Sequence, residues 1–116
     1  TKEKYGDYKL HVEYRWPNGK EKANSGIFLL IEEPKNPFPN GIECNLMLDN
    51  AGDFVLLGGS DLAEYQNKPG QPRPSFPVYI NGVYQNTGTN KVKEGYIGLQ
   101  SEGKEVQFRN VTITPW

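Results

Sequence analysis

Between Tyr8 and Trp16 the chain alternates without a break. Tyr8, Leu10, Val12, Tyr14 and Trp16 form one set, and Lys9, His11, Glu13 and Arg15 fall between them. A period of two places the sets on opposite faces of an extended strand, one buried and one wet. A helix would scatter the same residues around its circumference, so this stretch commits the chain to a sheet. Pro17-Asn18-Gly19 ends the strand. The pattern recurs in Ile42 to Asp49, where Ile42, Cys44, Leu46 and Leu48 share one face and Glu43, Asn45, Met47 and Asp49 the other.

Other segments supply further strands. Ile27 to Ile31 is a continuous apolar run, which suits a strand buried on both faces, and Asp53 to Leu57 reads as the next. Asn81-Gly82, between Tyr79-Ile80 and Val83-Tyr84, is a two-residue hairpin signal, because a type I′ turn needs positive φ at both central positions. Tyr96 to Gln100 and Val106 to Ile113 complete the set. No segment has helical periodicity. Thirteen Gly and nine Pro provide the turns, and the expected class is an all-β, antiparallel two-sheet sandwich or jelly roll. Asn67 to Pro77 holds four of the prolines and cannot be a central strand. Only Val78-Tyr79-Ile80 then precede the hairpin turn, so the reading expects a segment to be absent between Val78 and Tyr79.

One hundred and sixteen residues fit a single domain, and no apolar run approaches the roughly 18 residues of a membrane helix. With 13 Lys and Arg against 14 Asp and Glu, the chain has no electrostatic footprint for nucleic acid. A neutral partner such as a sugar suits that balance. One cysteine, Cys44, excludes an internal disulfide framework. Thr1 to Lys4 is not a signal peptide, so the chain is either cytoplasmic or has lost a leader. Ser-His-Asp and Cys-His arrangements, phosphate loops and zinc spacings are missing from the sequence. Asp49 and Asp53, bracketing Asn50-Ala51-Gly52, offer carboxylates to Ca²⁺ as an alternative, but the spacing is not that of an EF-hand, and no cofactor or metal is expected.

Several stretches together resemble the 3-keto-disaccharide hydrolase family. Tyr5-Gly6-Asp7-Tyr8 leading into Glu13-Tyr14-Arg15-Trp16 is similar to its opening strand, and Asn24-Ser25-Gly26-Ile27 to its small-residue turn into a buried strand. Ile42-Glu43-Cys44-Asn45-Leu46 with Asn50-Ala51-Gly52-Asp53-Phe54 resembles its acidic strand and following loop. Tyr96-Ile97-Gly98-Leu99-Gln100 and Phe108 to Ile113 are similar to its C-terminal signature. Asn45 stands where many members have glutamine, and the family's Trp-containing strand before the Asn-Gly hairpin is missing. The resemblance implies a concanavalin-like jelly roll beginning at the family's second or third strand, and a secreted or periplasmic location. It also implies cleavage of glycosides already oxidised at C3, by elimination and hydration.

Such chemistry needs a base near C2, a donor for the enolate oxygen and an acid near the glycosidic oxygen. Glu43 is the first candidate for acid or base, and Asn45, two residues on, points the same way. Arg15 is the second candidate catalytic residue, a planar donor for a sugar hydroxyl or the enolate oxygen, and pairing with Glu13 or Glu43 is its plain structural alternative. Asp53, at the rim loop after Asp49, and Gln100 on a neighbouring strand are candidate substrate-binding residues; turn formation and a cross-strand hydrogen bond are their alternatives. His11 reads as surface, Trp16 as core and Cys44 as an inert buried thiol, while Tyr65 and Trp116 are possible stacking platforms. The competing function is a non-catalytic carbohydrate-binding module, because one sandwich serves both trades. A buried carboxyl beside Asn45 or Arg15 favours catalysis; a row of exposed aromatics without one favours binding.

Overall fold

A computed structural model describes residues 1–17, 24–34, 39–47, 51–57, 75–89 and 92–115. Among them are eight strands: β1 (Tyr8–Arg15), β2 (Gly26–Ile31), β3 (Gly41–Asn45), β4 (Phe54–Leu57), β5 (Ser75–Ile80), β6 (Val83–Thr89), β7 (Tyr96–Leu99) and β8 (Gln107–Pro115). All pair antiparallel, in a four-stranded sheet of order β4-β3-β2-β7 and two ribbons, β1-β8 and β5-β6. The chain therefore has the all-β, antiparallel class that its alternation expects. β1 pairs with β8 and β2 with β7, so the two outer pairs nest as strands do in a jelly roll.

The alternation of β1 is realised against β8. Leu10 lies opposite Ile113 and Tyr14 opposite Phe108 on one face, while His11 faces Thr112 and Arg15 faces Gln107 on the other. Keeping both faces in phase requires one extra residue in β8. The register shifts between His11 and Glu13, and Asn110, at φ 50°, takes the left-handed conformation that absorbs the step.

The core centres on β3. Ile42 is fully buried, with Cys44, Leu46 and Ile97 close behind. Ile27 and Cys44 are directly opposite one another, and the Tyr14 phenol lies near enough to Cys44 to raise its own pKa further, after burial has already raised it. The β1-β8 ribbon thus lies towards the Cys44 face of the four-stranded sheet.

β2 departs from a plain buried strand at Leu30, a non-glycine residue at φ 55°. The register with β7 shifts between Phe28 and Ile31, which puts both on the same face. Ile31 Cδ1 and Phe28 Cβ lie 3.3 and 3.7 Å from where a side chain on Gly98 would begin. Both residues are buried on the sheet face opposite Cys44.

Asn81 and Gly82 both have positive φ, at 50° and 76°, as the hairpin signal requires. β5 starts earlier than its apolar residues suggest, at Ser75, and carries Pro77 within a two-stranded ribbon, where a strand tolerates a missing N–H. It runs through Val78 and Tyr79 as one strand whose register with β6 shifts at that step. The hairpin leans on the turn after β3: a side chain at Gly52, whose φ is 94°, would start 3.0 Å from Gln85 Cβ and 3.6 Å from Ile80 Cγ1. Trp16 is half-buried and meets Tyr14 edge to face, with centroids 6.3 Å apart. Asp49, Tyr65, Trp116 and most of the proline-rich stretch lie outside the described residues.

Candidate active site

The strand that buries Ile42 and Cys44 must send Glu43 to the opposite face, and that face holds the site. Glu43 pairs with Phe28 on β2 and Val55 on β4, and is only 5% exposed. It fits because the diagonal neighbour, Gly26, has no side chain. A Cβ on Gly26 would stand 2.6 Å from Glu43 Cγ and 2.8 Å from Cδ, so the Glu43 side chain lies flat over the Gly26 backbone. A buried carboxyl usually collects hydrogen-bond donors. Among the described residues none reaches Glu43. Burial raises its pKa, and the nearby Glu102 carboxylate raises it further, so both effects favour the protonated form.

Asn45 lies opposite Gly26 on the same face. Its Oδ1 accepts the Met47 N–H at 2.6 Å, a local turn that ends β3 and leaves the amide NH2 as the end available to a ligand. Gln100 flanks Gly26 from the other side: its N–H donates to the Gly26 carbonyl at 2.9 Å, and the buried Ser25 hydroxyl donates to the Gln100 carbonyl. The Gln100 residue is 9% exposed, and its Oε1 has no hydrogen-bond partner. One rung further, Asn24 bridges to Glu102 and its Nδ2 donates to Glu102 Oε2 at 3.0 Å, while Asn24 Oδ1 is buried and unpartnered. Asp53 accepts the Asn45 N–H through its backbone, and its side chain is exposed at the rim.

Glu43, Asn45 and Gln100 thus share one face, with Asp53 at its edge. Arg15 does not join them. It projects from the outer face of β1, where its Nε donates to Gln107 Oε1 at 2.6 Å. With Trp16, Met47 and Asn81 it lines a different, open cleft of about 240 Å³. Nor does Arg15 meet Glu13, whose carboxylate takes Arg109 at 3.3 Å and the Asn110 amide, with exposed His11 at 3.6 Å. The Asn110 hydrogen bond is the largest reason that the Glu13 pKa is lowered, opposed by desolvation and aided by Arg109.

Cys44 is buried, and its thiol is pushed up to about 11 by that burial, then by Glu43 and Asp53. It is a packing residue and not a nucleophile. Among the described residues no group of three His, Cys, Asp or Glu side chains is placed to hold a metal ion, and no helix is long and apolar enough to cross a membrane.

Gly26, Asn24 and Glu102 are site residues that single-strand reasoning passes over. Their signal is the period-two series Gly98, Gln100, Glu102 set against Asn24, Gly26, Phe28, which becomes visible once the β2-β7 register is known.

A buried carboxyl ringed by amide groups on one sheet face defines an antiparallel β domain with an acidic polar site. Residues 1–78 match the family model described as the 3-keto-alpha-glucoside-1,2-lyase-like domain. The chain belongs to this carbohydrate-related family. No curated protein and no solved structure matches it.

Proposed function

We propose that the chain cleaves glycosides oxidised at C3 of the sugar, by elimination of the C1 substituent followed by addition of water. The observation that carries this reading is Glu43, a buried carboxyl without a donor beside the unpartnered Gln100 Oε1. The C3 ketone acidifies the C2 proton, and the C1–O bond is β to the resulting enolate. Departure of the aglycone then needs a proton on the glycosidic oxygen. Glu43 is the acid that delivers it, because burial and then the Glu102 carboxylate both raise its pKa and so favour the neutral, proton-carrying carboxyl. The Asn45 amide and Gln100 hold sugar hydroxyls or the ketone oxygen, and Asp53 contributes at the rim. Arg15, tied to Gln107 on another face, is left out. A secreted or periplasmic location goes with this reading and rests on the family resemblance; fractionation of the native cell tests it, and recovery only in the cytoplasm refutes it.

The test is time-resolved release of free sugar from a 3-keto-disaccharide and from its unoxidised parent, by wild type and Glu43→Gln. Cleavage of the keto compound alone, reduced at least about 10²-fold in the variant, is the expected result. A second reading, a non-catalytic carbohydrate-binding module, is favoured by Tyr79 and Tyr84. These rings are 59% and 55% exposed and lie 5.7 Å apart on the hairpin, a platform for a pyranose. Saturable sugar binding that is lost in Tyr84→Ala, with no release from either compound, would replace the first reading with the second.

A further inference from the structure

The site carries a second carboxylate. Asn24 and Glu102 pair in an isolated antiparallel bridge just beyond the ends of β2 and β7, one rung from Gly26 and Gln100, and residues two apart along extended chain share a face. Glu102 therefore projects from the same face as Glu43, and the Asn24 amide fixes one of its oxygens at 3.0 Å. The two carboxyls differ in surroundings: Glu43 is buried with no described donor, whereas Glu102 is exposed and hydrogen-bonded. The described polar residues that share this face around Glu43 are Asn24, Gln100 and Glu102 beside β2, Asn45 on β3 and Asp53 before β4; none of these is a cation. Lys4 stands farther along, 5.7 Å from the Tyr96 ring. Two carboxyls held in such different environments divide into an acid and a base.

We propose that Glu102 is the base that removes the C2 proton, working with the Glu43 acid across the Gly26–Gln100 rung, and that Asn24 positions it. The assignment rests on the elimination reading above. In the first half-reaction the Glu102 carboxylate takes the C2 proton. The C–H electron pair becomes the C1–C2 π bond, the C1–O bond breaks, and the departing oxygen takes the proton of Glu43. In the second half the Glu43 carboxylate takes a proton from water as its oxygen bonds to C1. Glu102 then returns a proton to C2, and both groups regain their starting states.

Exchange of the C2 proton needs the base and not the acid. The experiment measures deuterium uptake at C2 of free 3-ketoglucose, which has no aglycone to lose, in D2O above the uncatalysed rate. It also measures cleavage of a 3-keto-glucoside with a nitrophenyl aglycone, which leaves without acid help. Wild type should exchange C2 and release nitrophenol, and Glu43→Gln should lose more on the disaccharide than on the nitrophenyl glucoside, whose leaving group needs least acid help. Glu102→Gln should lose about 10²-fold or more in each assay. Asn24→Ser, which keeps the carboxylate and frees it, should fall between them, with Glu102→Asp recovering part of the rate. Equal exchange by Glu102→Gln and wild type, with the variant folded by circular dichroism, would overturn the assignment while leaving the elimination reading standing. A wild type that neither exchanges nor cleaves would remove the elimination reading itself.

Discussion

Replacing Gly26 with alanine would test the site's geometry with a single methyl group. The new Cβ would sit 2.6 Å from Glu43 Cγ, 0.8 Å inside the 3.4 Å at which ordinary contact begins. Gly26 is not among the positive-φ glycines, so the backbone accepts alanine and the clash falls on the Glu43 side chain. Overpacking of this kind costs about 1–3 kcal/mol when nothing can yield. Here the carboxyl can swing towards water, and the loss of glycine freedom in the unfolded chain returns about 0.4–1 kcal/mol. The net change should stay within about 1 kcal/mol, a Tm shift of roughly 4–8 °C or less for a domain of this size. On the proposed reading activity should respond far more, because a catalytic acid misplaced by about 1 Å costs on the order of 10²-fold. The assays are the kcat/KM for release from a 3-keto-disaccharide, thermal unfolding, and NMR titration of the Glu43 carboxyl, which should move down towards the ordinary carboxylate range. Gly98→Ala is the control, since its Cβ would crowd only the flexible tip of Ile31, at 3.3 Å, and meet Phe28 at an ordinary 3.7 Å. If Gly26→Ala cleaves within threefold of wild type, or Glu43 titrates unchanged, the seat of Glu43 over Gly26 is not what holds the site.

Three other outcomes are expected. Glu43→Gln should stabilise the fold at pH 7: the folded protein binds the Glu43 proton more tightly than the unfolded chain does, so wild-type stability falls as pH rises above the ordinary Glu range. A gain of about 0.5–2 kcal/mol in urea unfolding at pH 7 that vanishes near pH 4 would bear this out, and equal stability at both pH values would refute it. Gly95→Ala should be severe, because its Cβ would lie 2.7 Å from the Ile31 backbone nitrogen and has no flexible side chain to displace; a loss above about 3 kcal/mol is expected in the same assay, and a loss under 1 would contradict it. Cys44, its pKa near 11, should hold only about a thousandth of its thiol as thiolate at pH 8, so iodoacetamide should label it only after unfolding; rapid native labelling would contradict the burial described.

Local patterns disclosed some of this molecule and missed other parts for a physical reason. The alternation of β1 and the Asn81-Gly82 turn depend on residues a few positions apart, and both appear as read. The same holds for Glu43 and Asn45 sharing a face of β3. Leu30 and Asn110, left-handed residues inside strands, interrupt runs that look regular in sequence, because each bulge answers a register demand from a distant partner. Arg15 is a candidate by the polarity of its strand, but strand polarity cannot say which sheet a polar face confronts, and its side chain goes to Gln107. Glu102 carries no local signal because its partner, Asn24, is 78 positions away.

The nesting of the strands sets when this site can exist. Glu43 and Gly26 belong to the first half of the chain, while Gln100 and Glu102 arrive near its end, and the Ser25–Gln100 contact spans 75 positions. Closing such distant pairs costs chain entropy before any contact repays it, which makes folding slow. A chain emerging from the ribosome would thus carry Glu43 on an incomplete surface, exposed and with an ordinary acidity, until β7 docks against β2. On the proposed reading, sugar release during refolding should therefore rise in step with the slowest structural phase, so that the activity would keep time for the closing of the sheet.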